Sequence, residues 1–218
     1  MLTLRVVSWN VRSLRDGSRA VAAALAALAP DVVLLQEAPR LLLWRWSCER
    51  LARRAGLVRV VGGAPAAGNL LLVSSRVRVV EAWPVRFAKR RGLHRRGAVL
   101  AVLEHDGRRL TVLGTHLDLD PHARRDTAER LRALAPICPP LLVGADVNEL
   151  PGAPAWSALS AGLVDLAAEL GPTFPQPAPQ RRIDGVFADP ALAVHAVSRP
   201  DPGPVSDHLP LVVDLSLR

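Results

Sequence analysis

The chain has 218 residues, 50% of them hydrophobic and 22% charged, and its formal net charge is +8. This composition excludes disorder over most of the chain, and the length fits a single domain spanning residues 1–218. The positive charge favours an anionic partner such as nucleic acid, lipid headgroups or a phosphorylated small molecule. Lys89 is the only lysine, and a GC-rich coding sequence would also produce this arginine bias, so the positions of the arginines matter more than their number.

The longest apolar run, residues 20–30, is too short to span a bilayer, and the N-terminus reads as a strand, not as a basic and apolar leader. We therefore expect a cytoplasmic protein without a membrane span, and we take it to be a monomer. Cys48 and Cys138 match no paired metal-ligand spacing. They could form a disulfide, but nothing in the sequence demands one, so buried thiols are the favoured prediction.

Strand-like and helix-like segments alternate along the chain. Apolar runs predict strands at residues 2–10, 31–37, 69–75, 97–105, 109–116, 141–146, 183–189, 193–198 and 209–217. Runs rich in Ala, Leu and Arg predict helices at residues 18–29, about 40–55, 122–135 and 154–161. The tight turn at residues 105–107 makes one strand pair antiparallel, so the pattern predicts an α/β fold with mixed sheets.

Three segments allow two interpretations each. Residues 40–57 are basic and contain Trp44 and Trp46, which suits a membrane-surface helix, but a helix packed on the sheet is favoured. The Pro-rich segment 171–182 predicts a stiff flap in which Phe174 either stacks on a base or, as we prefer, anchors the loop. Asn69 fits a turn and a site residue equally well.

Polar side chains stand where the predicted strands end or begin. They close four strands at their C-terminal ends and precede or start two others: Asn10, Glu37, His116, Asp146, Asp184, Asp207 and His208. Strands of opposite direction bring such positions to one edge of a sheet, where α/β proteins usually have their sites. Any one of these residues alone is more often a turn or capping residue. Together they predict a functional site.

Carboxylates gathered in one cleft repel one another unless a cation is present. The sequence offers oxygen ligands from Glu37, Asn10 and an aspartate, without a thiolate pair or an HExxH motif, which predicts Mg²⁺ or Mn²⁺ rather than Zn²⁺. A metal beside a histidine base and hydrogen-bond donors is typical of phosphoester hydrolysis.

Six ordered motifs resemble those of the endonuclease/exonuclease/phosphatase family, which includes DNase I-like and exonuclease III-like phosphoesterases. They are SWNVRSL (8–14), DVVLLQE (31–37), GTHLDLD (114–120), GADVNELPG (144–152), RRIDGVF (181–187) and SDHLPLVVDL (206–215). The resemblance covers nearly the whole chain. It implies a four-layer α/β/β/α sandwich of two mixed sheets and a divalent-metal-dependent phosphoesterase.

The resemblance also implies roles for individual residues. Glu37 binds the metal, with Asn10 next to it and Asp207 nearby. His208 is the general base that activates water, and Asp184 orients it.

Three further roles follow from the same motifs. Asp146 positions the nucleophile or returns a proton to the leaving oxygen, and Asn148 and His116 donate hydrogen bonds to the phosphoryl oxygens. On this interpretation, strand 141–146 ends in polar groups because it delivers them to a metal and a phosphate.

Two departures from the family pattern narrow the subfamily. The chain contains no tyrosine, so the tyrosine that AP endonucleases carry at the position of His116 is absent, and the histidine resembles DNase I and the sphingomyelinases instead. Arg12 stands where some members carry an acid, which puts a second metal position in doubt.

Arginines flank the predicted site. Strand 97–105 must begin at the edge where His116 lies, so the basic loop 86–96 is expected on the same rim. Any one arginine could be a solvated residue with partial ion pairs. Collectively they fit a polyanion, and nucleic acid is the simplest candidate. The predicted substrate-binding residues are Arg12, Arg91, Arg95, Arg96, Arg124 and Arg182.

Three functions are therefore open. The first is a Mg²⁺- or Mn²⁺-dependent phosphodiesterase acting on DNA or RNA. The second is a phosphoesterase for a small-molecule or lipid phosphate, similar to the sphingomyelinases or the inositol phosphatases. The third, a non-enzymatic binding module of the same fold, is disfavoured because every catalytic position carries a competent residue.

Overall fold

A computed structural model of the chain describes residues 3–134 and 140–217. Within these residues, twelve strands form two six-stranded sheets. The first sheet contains β1 (Leu4–Asn10), β2 (Val32–Gln36), β3 (Val58–Gly62), β4 (Leu70–Val73), β11 (Ala193–Ser198) and β12 (Leu211–Ser216). Its spatial order is β11-β12-β1-β2-β4-β3.

The second sheet has the spatial order β5-β6-β7-β8-β10-β9. Its strands are β5 (Arg78–Arg86), β6 (Gly97–His105), β7 (Arg108–His116), β8 (Leu141–Asp146), β9 (Val164–Asp165) and β10 (Asp184–Ala188). The α-helices of the described ranges are α1 (Ser18–Leu28), α2 (Trp44–Arg54), α3 (Pro121–Leu134) and α4 (Pro154–Ser160).

Three apolar cores separate four layers. The first lies between the two sheets and contains residues such as Val6 and Leu34, while the second lies between the first sheet and α1 and α2. The third packs α3 and α4 on the second sheet. Because both faces of the central strands are buried, these strands read as almost continuous apolar runs. The predicted four-layer α/β/β/α sandwich is confirmed.

Strand direction gathers the ends of the central strands. β1 runs parallel to β2, and β7 runs parallel to β8 with His116 opposite Asp146. β10 is antiparallel to β8, so its first residue, Asp184, also lies opposite Asp146. β12 is antiparallel to β1, and the segment before it passes the end of β1. We call this edge of the two sheets the polar edge.

Two glycines let the sheets approach each other behind the polar edge. A Cβ atom at Gly144 would lie 2.8 Å from the Ser8 hydroxyl and 2.9 Å from a methyl group of Leu34, and one at Gly114 would also meet Leu34. These distances are below van der Waals contact. Glycine at both positions therefore allows β7 and β8 to pack closely against the first sheet.

Each predicted strand overlaps an observed one, but β3, β5 and β9 were not predicted. The helix expected from about residue 40 begins at Trp44, and its inner face, with Cys48 and Leu51, packs on the first sheet as favoured. Cys48 is buried, as predicted, whereas Cys138 and the end of the predicted helix 122–135 lie outside the described residues. No helix in the described ranges has the length and apolarity needed to cross a membrane.

Candidate active site

Asp146, the last residue of β8, is at the centre of the polar cluster and is only 1% exposed. Asn10 Nδ2 donates a 2.8 Å hydrogen bond to its Oδ2 atom, and the backbone N–H of Asn148 donates to Oδ1 at 3.1 Å. The same Oδ2 atom lies 3.3 Å from His116 Nε2 and 3.9 Å from His208 Nε2. Asp146 therefore joins residues from both sheets.

His208 is held from several sides. Its Nδ1 atom lies 2.9 Å from Asp184 Oδ2, and the Thr173 hydroxyl donates a 2.6 Å hydrogen bond to that same oxygen. Trp9 Nε1 donates to the His208 carbonyl oxygen at 2.8 Å, and the Phe174 ring packs on the imidazole at a centroid distance of 4.7 Å. These contacts orient Nε2 of His208 towards Asp146.

The two histidines of the cluster have opposite pKa shifts. Burial lowers the pKa of His116 to about 3, against the opposing effect of Asp146, so its imidazole is neutral at physiological pH. Burial also disfavours the charged form of His208, but Asp184, Asp146 and Asp207 together outweigh it and raise its pKa to about 10. Without a bound cation, the carboxylates thus hold a proton on His208.

Glu37 provides an accessible carboxylate at the end of β2. Its backbone has a φ of +52°, which turns the chain at the strand end, and its side chain is 38% exposed. Asn10 Nδ2 lies 3.4 Å from Glu37 Oε1, and the Ser13 hydroxyl lies 3.5 Å from Oε2. Asp207 lies 3.3 Å from the guanidinium of Arg12, whose backbone N–H donates to Asn10 Oδ1.

This donor set fits a hard divalent cation. Carboxylate and amide oxygens surround the polar edge, and Glu37 leaves room for a metal that retains waters. Asp146, Asp184 and His208 form a second group whose ligand atoms all lie within 4.8 Å of one another. Because His208 and Thr173 already occupy an oxygen of Asp184, the Glu37 and Asn10 side is the more accessible metal position.

Asn148 and His116 face each other at the rim. Asn148 Nδ2 lies 2.9 Å from His116 Nε2 and donates to the Leu117 carbonyl at 3.0 Å. A φ of +55° at Asn148 turns the chain just after β8, which brings the amide back over the polar edge. The next residue, Glu149, serves the fold, because its carboxylate accepts hydrogen bonds from the backbone N–H groups of Ala155 and Trp156 in α4.

Two of the predicted arginines lie beside the cluster. The largely buried Arg96 lies 3.4 Å from Asp118, and burial lowers its pKa while the charges of Asp118, Asp146 and Glu37 oppose this shift. Arg12 lies between Asp16 and Asp207. Both guanidinium groups therefore belong to the charge network of the polar edge.

The other predicted arginines have different surroundings. Arg91 and Arg95 are exposed in the loop that precedes β6. Arg124 is buried and binds the Glu149 carboxylate and the carbonyl oxygens of Asp118, Leu119 and Asn148. Arg182 forms a two-point ion pair with Asp165. The guanidinium groups of Arg124 and Arg182 thus bind groups of the protein itself, which leaves them poorly placed to bind a substrate.

Three supporting residues were not singled out from the sequence. They are Thr173, Asp118 and Ser206, whose hydroxyl donates a 2.7 Å hydrogen bond to the Asn10 carbonyl. Asp118 and Ser206 lie within the GTHLDLD and SDHLPLVVDL motifs, so the motifs contained a signal for them, whereas Thr173 lies outside any motif. Asn69 braces a turn, donating to the carbonyl oxygens of Ala66 and Gly97.

A family model, described as the Endonuclease/Exonuclease/phosphatase family, matches residues 7–208. The chain belongs to this family. Members of the family hydrolyse phosphoesters. No curated protein sequence matches the chain.

Solved structures of the same fold give further comparisons. A family member from Beutenbergia cavernae is 28% identical, with all of this chain and 72% of that chain covered and a TM-score of 0.72. D. rerio TDP2 in complex with a single-strand DNA product is 20% identical, with 99% and 100% covered and a TM-score of 0.81. The Bacteroides thetaiotaomicron mannosyl-6-phosphatase is 18% identical, with 98% and 100% covered and a TM-score of 0.77.

Proposed function

We propose that this chain is a divalent-metal-dependent phosphodiesterase in which His208 activates the attacking water. The observation that carries this proposal is the convergence of His208, His116 and Asn10 on one buried carboxylate, Asp146. This convergence supports the proposal, because phosphoester hydrolysis needs a base, an acidic group and hydrogen-bond donors close together.

Glu37, Asn10 and Asp207 would hold the metal, Mg²⁺ or Mn²⁺. A bound divalent cation would polarise the phosphate oxygens and stabilise the charge that develops on them. A cation held there would offset the charge of Asp207, one of the three carboxylates that raise the pKa of His208, and would shift that pKa down. We therefore expect His208 to release its proton, and to become a base, when the site is charge-balanced.

The chain's own residues supply the remaining chemistry. Asp184 keeps the His208 imidazole oriented and stabilises its charged form after Nε2 has taken the water proton. Asp146 lies 3.9 Å from His208 Nε2, on the side of the imidazole opposite to Asp184. It either positions the water or returns a proton to the leaving oxygen. Asn148 and the neutral His116 would donate hydrogen bonds to the phosphoryl oxygens, for which Asn148 Nδ2 would release its present contact with His116 Nε2.

Nucleic acid is the first candidate substrate. The loop before β6 carries exposed Lys89, Arg91 and Arg95, and it leads directly into Arg96 beside the cleft. Several basic residues on one rim suit a polyanion, and TDP2, a structural neighbour, was solved with a DNA product.

A phosphate carried by a lipid or a small molecule is the second candidate. Exposed leucines around the polar edge favour a lipid, because a nucleic-acid strand would leave them in contact with water. The mannosyl-6-phosphatase among the structural neighbours acts on a small phosphorylated molecule, as its name states.

Hydrolysis of bis(p-nitrophenyl) phosphate tests the chemistry, and nicking of supercoiled plasmid tests the substrate. With Mg²⁺ we expect turnover that EDTA removes and that His208→Ala reduces by roughly 10²–10⁴-fold. His195→Ala is the matched control, because His195 is exposed on β11 and bonds only the Ser216 hydroxyl among the described residues. Full turnover by His208→Ala would refute the assigned base, and turnover without nicking would favour the second candidate.

A further inference from the structure

An exposed apolar loop lies beside the polar edge. Leu41, Leu42 and Leu43, which we call the leucine loop, are 80%, 92% and 67% exposed, and Trp46 in the first turn of α2 is 52% exposed. The inner face of α2 packs on the first sheet, so the helix needs no further partner there. Consecutive exposed leucines are unusual on a monomer's surface and indicate an interaction site.

The exposed leucines cluster at one end of the molecule. The leucine loop follows Glu37 closely, at the end of β2. Leu119 and Leu150, which are 65% and 52% exposed, follow β7 and β8. All three strands end at the polar edge, so these leucines lie in the loops that leave that edge.

A basic groove of about 640 Å³ adjoins the leucine loop, between the start of α1 and α2. Its lining includes Arg19, Arg50, Arg54 and Trp46, and it reaches Ser13, whose hydroxyl contacts Glu37. Partial burial and the nearby charges of Arg50 and Arg19 lower the pKa of Arg54.

The acidic residues nearest in sequence to this groove have other partners. Glu49 is the only acid between residues 38 and 80, and it pairs with Arg59, while Asp16 pairs with Arg12. The groove arginines thus have no carboxylate partner within the described ranges. An unneutralised positive groove of this kind attracts phosphate groups.

We propose that this face docks the protein on an anionic lipid bilayer. The leucine loop and Trp46 enter the interfacial layer, while Arg19, Arg50 and Arg54 bind lipid phosphates in the groove. Apolar side chains, an aromatic residue at their border and flanking arginines are the combination that a bilayer interface stabilises. The inference goes beyond the proposed function, because docking needs no hydrolysis. Docking on this face would also move a lipid-borne phosphoester ahead of nucleic acid as the candidate substrate, a consequence that rests on the proposed function.

Two other occupants fit this face less well. A nucleic-acid strand would satisfy the arginines but would leave the leucine loop in water. A symmetric contact with a second copy of the chain would bury the leucines but would place like-charged arginines opposite each other.

Co-sedimentation with vesicles tests the docking. Vesicles of phosphatidylcholine and phosphatidylserine should bind the wild type, and phosphatidylcholine alone should bind it more weakly. Leu42→Glu should weaken binding at least about tenfold, because burying one leucine is worth more than that factor. Leu134→Glu is the matched control: it makes the same change in an exposed leucine at the end of α3, away from the polar edge, and should bind as wild type.

A double variant, Arg50→Gln with Arg54→Gln, separates the groove from the leucine loop. It should lose most of the preference for anionic vesicles and keep the weak binding to phosphatidylcholine. Thermal unfolding of each variant checks its fold, which Leu42→Glu should preserve because the side chain is almost fully exposed.

Three results would overturn the docking. The first is a wild-type protein that does not sediment with anionic vesicles but binds single-stranded DNA, together with a double variant that has lost this DNA binding. That result would assign the groove to nucleic acid. The second is Leu42→Glu binding vesicles as well as Leu134→Glu does. The third is a dimer that Leu42→Glu converts to monomers. Vesicle binding needs no turnover, so it stands or fails independently of the proposed hydrolysis.

Discussion

Thr173 is a positioning residue for the proposed base. Its buried hydroxyl donates a 2.6 Å hydrogen bond to Asp184 Oδ2, the oxygen that also faces His208 Nδ1. The hydroxyl therefore limits the rotation of the Asp184 carboxylate and, through it, the orientation of the imidazole. A hydrogen bond to a charged group contributes about 1.5–3 kcal/mol.

Thr173→Val removes this hydroxyl with almost no change in side-chain volume. We expect kcat on bis(p-nitrophenyl) phosphate to fall about 10- to 100-fold with KM little changed, because Thr173 is fully buried and out of reach of a substrate. Thr173→Ser keeps the donor and should restore most of kcat. A loss of kcat that is equal in the serine and valine variants would mean that Thr173 acts through packing alone.

At the residue scale, the sequence predicts where polar side chains gather better than it predicts which groups they bind. Strand ends and motifs located Asp146, Asp184 and His208, because strand direction determines where such ends meet. Arg124 and Arg182 looked like substrate ligands, yet Glu149 and Asp165 hold them inside the protein. These ion pairs join segments distant in the chain, so they depend on packing that no local pattern contains.

At the scale of elements, an ion pair links β1 to β12. Arg5 and Asp214 lie opposite each other in the antiparallel register, with side-chain distances of 2.7 and 2.8 Å. Arg5 also donates to the carbonyl of Leu28 at the end of α1. The hydrogen bonds from Arg5 lower the pKa of Asp214. The Arg5 guanidinium thus connects β1, β12 and the end of α1, near the end of β1 opposite to Asn10 and the polar edge.

Asp214→Asn should lower the free energy of unfolding at neutral pH by about 1 kcal/mol at most, because Arg5 is partly exposed. The folded-state pKa of Asp214 is below its unfolded value of about 3.9, so the stabilisation is present above that pH and is lost as the pH falls through the folded pKa. The difference between wild type and variant should therefore shrink below about pH 4.

Urea unfolding at several pH values measures this difference. Glu129→Gln is the control, because the Arg125–Glu129 pair on α3 is exposed on both sides and should contribute little. A stability difference that stays constant from neutral to acid pH would contradict the assigned linkage.

Missed elements have identifiable causes. β5 spans nine residues and eight of them pair with β6, but it is an edge strand that contains Pro84, and proline weakens a strand prediction. β3 was missed for a different reason. It is a short edge strand in which Arg59 interrupts the valines, so its apolar run is too short to predict a strand. Central strands, which are buried on both faces, have the strongest apolar signal and were all predicted.

At the scale of the whole molecule, the three cores are not independent. β1 contributes Val6 to the core between the sheets and Val7 and Trp9 to the core under α1 and α2. β8 likewise contributes Leu142 to the first of these cores and Val143 to the core under α3 and α4. Removing one layer would therefore expose apolar surface in the next.

This sharing of strands predicts that residues 1–218 unfold as one domain in a single cooperative transition. Circular dichroism and tryptophan fluorescence should report the same urea midpoint. Trp9 and Trp156 lie in the cores on opposite sides of the sandwich, so Trp9→Phe and Trp156→Phe each reduce the fluorescence that comes from one side. Each variant should still show coincident transitions by both probes, whatever the change in its stability. Two separate urea midpoints would instead mean that the two halves of the sandwich unfold independently. Asn10 and Asp146 meet only when both sheets are folded, so they should lose contact at the lower midpoint. Hydrolytic activity would then disappear with the first transition.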